Sequence, residues 1–302
     1  MKNKPYILFL APGFLLYSFL VIYPIFSAAH ISLYSWNGIG PRTFVGIGNY
    51  LELFTNQNLL GQFLNALQNS LTIFVLTVAI IIPLQIIFAY MICNKTKGYS
   101  FLQAAIFSPQ FISTPVIVFI FTLLLDGNIG FVNHIFETIG LDFLSRPWLR
   151  LPELGIYMVW IMISWAGFGV GMLFFIAAMK MISHEILEAA YLDGASYWGR
   201  LLHIIIPQIR TTILNLVLIS YIVAMTIFDY SFILGGVGGG IGGSVDVVSL
   251  FFYRTAFGDN NPLGGTVAAN SIGMGTTIAV VLFFLVFFVS LVQVFFMYKE
   301  ED

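Results

Sequence analysis

Six stretches of this chain, at about 7–33, 69–92, 104–125, 154–178, 208–232 and 272–297, are nearly free of charge and long enough to cross a bilayer. A spanning helix needs about 20 apolar residues, and within hydrocarbon only helices and closed barrels satisfy every backbone polar group. The fold predicted is therefore an all-α integral membrane protein with six transmembrane helices. Composition agrees, since 9% of residues are charged and the mean hydropathy is +0.94, whereas soluble domains carry about a quarter charged residues. The start, Met1-Lys-Asn-Lys, followed by Ser27-Ala-Ala, imitates a signal peptide. The apolar run from Tyr6 to about Leu33 is too long for that, so an uncleaved first span is expected. Residues 1–68 are read as the first helix with an external loop, and 69–302 as a five-helix core.

Lysines and arginines orient the spans. With the N-terminus inside, the inner segments hold Lys2, Lys4, Lys95, Lys97, Lys180, Arg200, Arg210 and Lys299. The outer segments hold Arg42, Arg146, Arg150 and Arg254. That excess places both termini in the cytoplasm of a multi-pass cell-membrane protein. It also places the polar interruption 183–207 on the cytoplasmic side.

This interruption reads as a helical hairpin. Ser183 is positioned to cap a first helix whose start is favoured by Glu185 and Glu188. Gly194 supplies the left-handed residue that ends it, and Ser196 begins a second helix that stops or kinks at Pro207. On the outer side, seven glycines crowd 235–243. That run reads either as a flexible linker or as a loop touching an external partner through Gly235, Gly236, Gly238 and Gly239. Asp229, near the outer end of the fifth span, is either the mouth of a solute path or an interfacial carboxylate reaching water.

Several functions are excluded by what the sequence lacks. It has no Gly-x-x-x-x-Gly-Lys-Ser/Thr phosphate loop, so the chain is not expected to hydrolyse ATP by that device. No nucleophile–base set can be assembled, and the four histidines are scattered, so no catalytic or metal site is expected. The hairpin carries Arg200 against Glu185, Glu188 and Asp193, which is no basic footprint for nucleic acid. Cys93, the sole cysteine, excludes an internal disulfide.

Glu188-Ala-Ala-Tyr-Leu-Asp-Gly-Ala195 followed by Ile204-Ile-Ile-Pro207 resembles the signature of binding-protein-dependent ABC importer permeases, with isoleucine where leucine is usual. Ala11-Pro-Gly13, Tyr23-Pro24, Phe44-Val-Gly-Ile-Gly-Asn-Tyr50, Asn65-Ala-Leu-Gln-Asn-Ser70 and Phe228-Asp229 resemble the carbohydrate branch. Within it they resemble the type of the large maltose permease subunit and the glycerol-3-phosphate permease. The glycine run lacks the proline usual in that branch.

The resemblance implies a coupling hairpin in which Glu188, Ala189, Ala190, Asp193, Gly194 and Pro207 engage a separate ATPase. ATP and magnesium would then be bound by two partner ATPase subunits and not by this chain. A second, homologous permease, an external solute-binding protein and a sugar substrate complete the implied partners, with no nucleic acid. Aligned without gaps from the hairpin, the sugar-contacting stretches of the maltose subunit fall on 163–170 and 220–227. Trp165, Gly167 and Ser220 keep the residue type, and Trp165 and Tyr221 are candidates for stacking. Ile163, Ala224 and Ile227 replace the asparagines that hold the sugar, and Val223 and Ala224 read as helix-packing residues. The solute-path candidates are thus Trp165, Gly167, Ser220, Tyr221 and Asp229. The alternative is a self-sufficient secondary carrier using Asp229, which needs membrane-buried charge partners and inverted repeats.

Overall fold

The computed structural model describes residues 5–258 and 271–299, so Lys2 and Lys4 lie outside the described residues. Among those described, five helices are long and apolar enough to cross a membrane: Phe9–Ile31, Gln57–Cys93, Pro152–Lys180, Arg210–Gly235 and Ile272–Phe295. The third expected span is a broken pair, Tyr99–Phe111 and Thr114–Leu124, bent by 106°. The break lies at Ile112 and Ser113, both in extended backbone, between Pro109 and Pro115. The two prolines remove helical N–H donors, and Pro115 also restricts the residue before it.

The second span begins at Gln57, well before the apolar run that announces it. Gln57, Asn58, Gln62, Asn65 and Gln68 make this stretch polar, yet Phe63, Ala66, Ser70 and Ile73 are buried. Their spacing of three and four residues marks one face of an amphipathic helix.

Three helices share one device. Wide π-turns at Ser18–Ile22, Thr77–Ile81 and Leu201–Ile205 each end two residues before a proline, at Pro24, Pro83 and Pro207 respectively. A proline ring collides with the carbonyl one turn back and donates no hydrogen bond. Widening the turn absorbs that conflict, so each helix continues through its proline.

The chain forms two compact units, one of Met1–Leu64 with Ser249–Leu285 and one of Asn65–Val248 with Val286–Asp302. In the first, a short antiparallel pairing of Tyr34 with Phe44 and Ser35 with Thr43 follows the first span. The buried Asn49 amide donates to the Ser32 and Tyr34 carbonyl oxygens at 2.8 and 3.0 Å, and the Thr277 hydroxyl donates to the Gly273 carbonyl oxygen at 2.9 Å.

The second unit is built on the second and fourth spans. Its apolar core joins Ile82, Ile86, Tyr90, Met172, Phe175 and Met179. Lipid is as apolar as leucine, so close packing and internal hydrogen bonds hold such helices together. Such bonds among the described residues include the following two. The buried Gln85 amide donates to the Phe168 carbonyl oxygen at 3.0 Å, and the Trp160 indole donates to the Thr77 hydroxyl oxygen at 3.2 Å. Within the third-to-fourth loop, Asn133 receives the Trp148 indole N–H at 2.7 Å and donates to the Arg146 carbonyl oxygen at 3.0 Å.

Candidate functional site

The hairpin forms as two helices, His184–Leu192 and one beginning at Tyr197. Gly194 adopts φ +75°. Its N–H donates to the Tyr191 carbonyl oxygen at 3.1 Å, and Ala195 N–H donates to that of Ala190 at 3.0 Å. This pair of bonds is the Schellman closure that a left-handed glycine permits. Ser196 caps the second helix by accepting the Gly199 N–H at 3.1 Å. Ser183 occupies the cap position of the first helix but makes no capping bond, and that exposed turn leaves its N–H groups to water. At Gly194→Ala, a Cβ meets no neighbour, so only backbone strain opposes it, about 1 kcal/mol. Faster hydrogen exchange across 190–196 with unchanged exchange in the spans is the expected result.

The second helix does not end at Pro207. It widens through Leu201–Ile205, passes Pro207 and breaks at Ile209, whose φ and ψ are −97° and 13°, before the fifth span starts at Arg210. Leu201, Ile205 and Ile209 are buried in the same core as the second and fourth spans. Tyr90 of the second span donates its hydroxyl to the Tyr197 carbonyl oxygen at 3.0 Å, and the two rings lie 4.5 Å apart. Burial pushes the Tyr197 phenol above its usual pKa, Tyr90 adds to the rise and Arg200 opposes it, so the ring stays neutral at physiological pH. The Arg200 guanidinium lies 5.4 Å from the Tyr191 ring, bracing the two helices. These anchors were not among the sequence-derived residues.

The first helix packs Leu187 on the core and turns its other face outward. Glu188 is 67% exposed and meets His184 Nδ1 at 3.0 Å, a one-turn pair that is weak in water. Ala189 and Asp193 are exposed, and Ala190 is buried. Leu192 is 84% exposed and Tyr191 69%. The result is an acidic group beside bare apolar side chains, backed by a fixed second helix.

On the opposite side, the glycine run is a folded turn. Asn65 Nδ2 donates to the Gly243 carbonyl oxygen at 2.8 Å, and Asn69 Nδ2 donates to the Gly243 and Asp246 carbonyl oxygens at 3.1 and 2.8 Å. Gly239 is buried and Gly235 half-buried, whereas Gly236 and Gly238 are exposed. Asn69→Ala is expected to remove the bonds donated to the Gly243 and Asp246 carbonyl oxygens and cost about 1–3 kcal/mol locally, seen as lost hydrogen-exchange protection at 236–247 with the spans unaffected.

The five solute-path candidates have different immediate surroundings. Trp165 and Gly167 stand two residues apart on one helix, about 200° around its axis. The Trp165 ring packs on Phe121 at 5.6 Å, while Gly167 faces open space. Tyr221 is buried edge-on against Phe74, 5.3 Å away, so its ring is not free to stack. The Ser220 hydroxyl donates to the Leu216 carbonyl oxygen at 2.8 Å. Val223, expected in helix packing, is exposed, whereas Ala224 is buried. Asp229 is exposed in the first turn of the short helix Asp229–Gly235, which follows a break at Ile227. There the positive end of the helix offsets its charge.

Comparison with known proteins fits this arrangement. Residues 85–297 match the family described as the binding-protein-dependent transport system inner membrane component. The probable ABC transporter permease protein YurN of Bacillus subtilis is 31% identical, with 100% of this chain and 99% of that protein aligned. The lactose transport system permease protein LacF of Rhizobium radiobacter is 33% identical, covering 83% of this chain and 82% of its own. A chain of a bacterial alginate ABC transporter, solved with an alginate pentasaccharide-bound periplasmic protein, superposes with a TM-score of 0.78 at 22% identity. That match covers 97% of this chain and 93% of the solved one and supports the fold. The chain belongs to the family of inner-membrane permease components of binding-protein-dependent ABC transport systems.

Proposed function

We propose that this chain is one transmembrane half of an ATP-driven importer for a mono- or oligosaccharide, and that it works as a lever rather than an enzyme. Its hairpin docks a separate ATPase subunit, which binds ATP and magnesium. Glu188 pairs with a basic group there, Ala189 and the exposed Tyr191 and Leu192 give close apolar contact, Asp193 adds charge, and Gly194 and Ala190 hold the turn. A second, homologous permease and an external solute-binding protein complete the assembly, with both termini of this chain in the cytoplasm. The exposed Gly236 and Gly238, set on the ordered turn that includes Gly235 and Gly239, contact the binding protein.

The observation that carries the reading is the burial of Leu201, Ile205 and Ile209 in the core of the second and fourth spans. A hairpin so anchored moves with the spans as a rigid body when the ATPase closes. Pro207 lies between the π-turn and the break at Ile209, where that movement passes into the fifth span. A sugar as solute is supported by relatives such as LacF, which is named as a lactose transport permease.

The path itself has Gly167, Ser220 and Asp229 as candidates on this chain, with Trp165 and Tyr221 turned to other surroundings. A secondary carrier using Asp229 is disfavoured, because that carboxylate is exposed at a helix start. The test is uptake into liposomes. Uptake that requires the ATPase, the binding protein and a sugar from a panel fits the reading, whereas uptake by this chain alone contradicts it.

A further inference from the structure

The hairpin carries the carboxylates of Glu185, Glu188 and Asp193 and the guanidinium of Arg200. Among the described residues no carboxylate pairs with Arg200, and its Nε–H is buried without an acceptor. A covered donor on a charged group is costly to leave unmet, and such a group in a native structure calls for an explanation. We infer, resting on the docking of a separate ATPase at the hairpin, that Arg200 is a second coupling residue. It receives a carboxylate of the ATPase subunit while Glu188 meets a basic group there.

The guanidinium is held in place rather than loose. Its carbon lies 5.4 Å from the centre of the Tyr191 ring, and that ring is 69% exposed. With Nε covered, the two Nη groups are the end that an incoming acceptor reaches, and their fork matches the two oxygens of a carboxylate. Tyr191 follows Glu188 by three residues, on the same side of the first helix. The surface therefore runs from an exposed carboxylate, across a bare aromatic ring, to a cation. Opposite signs at its two ends select one docking direction, because the reversed one sets like charges together. A lever requires that direction to be fixed. An anionic lipid is the other source of an acceptor at the inner face, but it meets the exposed Glu188 and Asp193 on the same hairpin and is repelled by them. A protein partner places a basic group opposite Glu188 and is not.

The test titrates the ATPase subunit co-purified with this chain into proteoliposomes that hold the permease pair, and follows its binding. Arg200→Met keeps an unbranched apolar stem and removes the charge. The expected result is a half-saturating ATPase concentration raised about tenfold, in zwitterionic and in anionic bilayers alike. Arg200→Lys puts an amine at the same point. Carbodiimide treatment of that importer is expected to form an amide between position 200 and an aspartate or glutamate of the ATPase subunit, which mass spectrometry identifies and which the parent lacks. Loss of a merely structural brace would give no such adduct. Parent-like titration of Arg200→Met overturns the proposal, and so does the absence of the adduct. A shift confined to anionic bilayers also overturns it, since the acceptor would then be a lipid phosphate. An ATPase subunit that fails to bind the parent permease pair removes the docking itself, so the two failures are told apart.

Discussion

Glu188→Arg is expected to abolish solute-stimulated ATP hydrolysis and uptake in the reconstituted importer while the chain folds and inserts normally. The side chain is 67% exposed and its one ion pair is with a surface histidine, so the fold loses about 0–1 kcal/mol at most. The effect on docking is large because, in the proposed assembly, the substitution places a positive charge opposite the basic group that Glu188 pairs with. Reversing a close pair at an interface costs several kcal/mol, or at least about a hundredfold in affinity. Retained wild-type stimulation and uptake would remove Glu188 from the coupling surface.

The second large effect is expected at Gly169→Val. A Cβ built there lies 2.6 Å from Phe107 Cα and 2.8 Å from the Ile106 carbonyl oxygen. Both are backbone atoms of the broken third span, so no side chain can rotate away. Overpacking of this kind typically costs about 1–3 kcal/mol or more, and small residues at such crossings are what let membrane helices approach. Thermal melting of the detergent-solubilised chain should show a clear drop and poor yield. Gly167→Ala, whose Cβ meets nothing within 4 Å, should melt like the parent. Equal melting of the two variants would contradict the packing of the third span on the fourth.

What could be read from residues alone depended on whether each feature left a chemical mark. Spans 1, 4, 5 and 6 are visible because an uncharged run of that length has few other fates. Gly194 marked its own turn, since ending a helix in the left-handed region is its specific capability. The helical start at Gln57 was hidden because glutamine and asparagine dominate it, although Phe63, Ala66 and Ser70 keep the period. The anchors Leu201, Ile205 and Ile209 were invisible for the opposite reason, as apolar residues in an apolar run give no sign of which face is covered. Tyr90 lies more than a hundred positions from the carbonyl it binds, so local pattern could not find it. The separation of Trp165 from Gly167 was available, because two positions along a helix are nearly opposite. The π-turns were not, since a proline warns of a kink without saying how the helix will absorb it.

The central claim, that the hairpin is the socket for a separate ATPase, is tested most directly by site-specific photocrosslinking in native membranes. The photoreactive residue replaces Leu192, 84% exposed beside the Glu188 helix, and in a parallel experiment Gly238 on the other loop. The predicted result is an adduct at Leu192 whose peptides identify a protein carrying a phosphate-loop ATPase sequence, with none of that protein at Gly238. An ATPase adduct at Gly238 with none at Leu192 would contradict both the socket and the orientation.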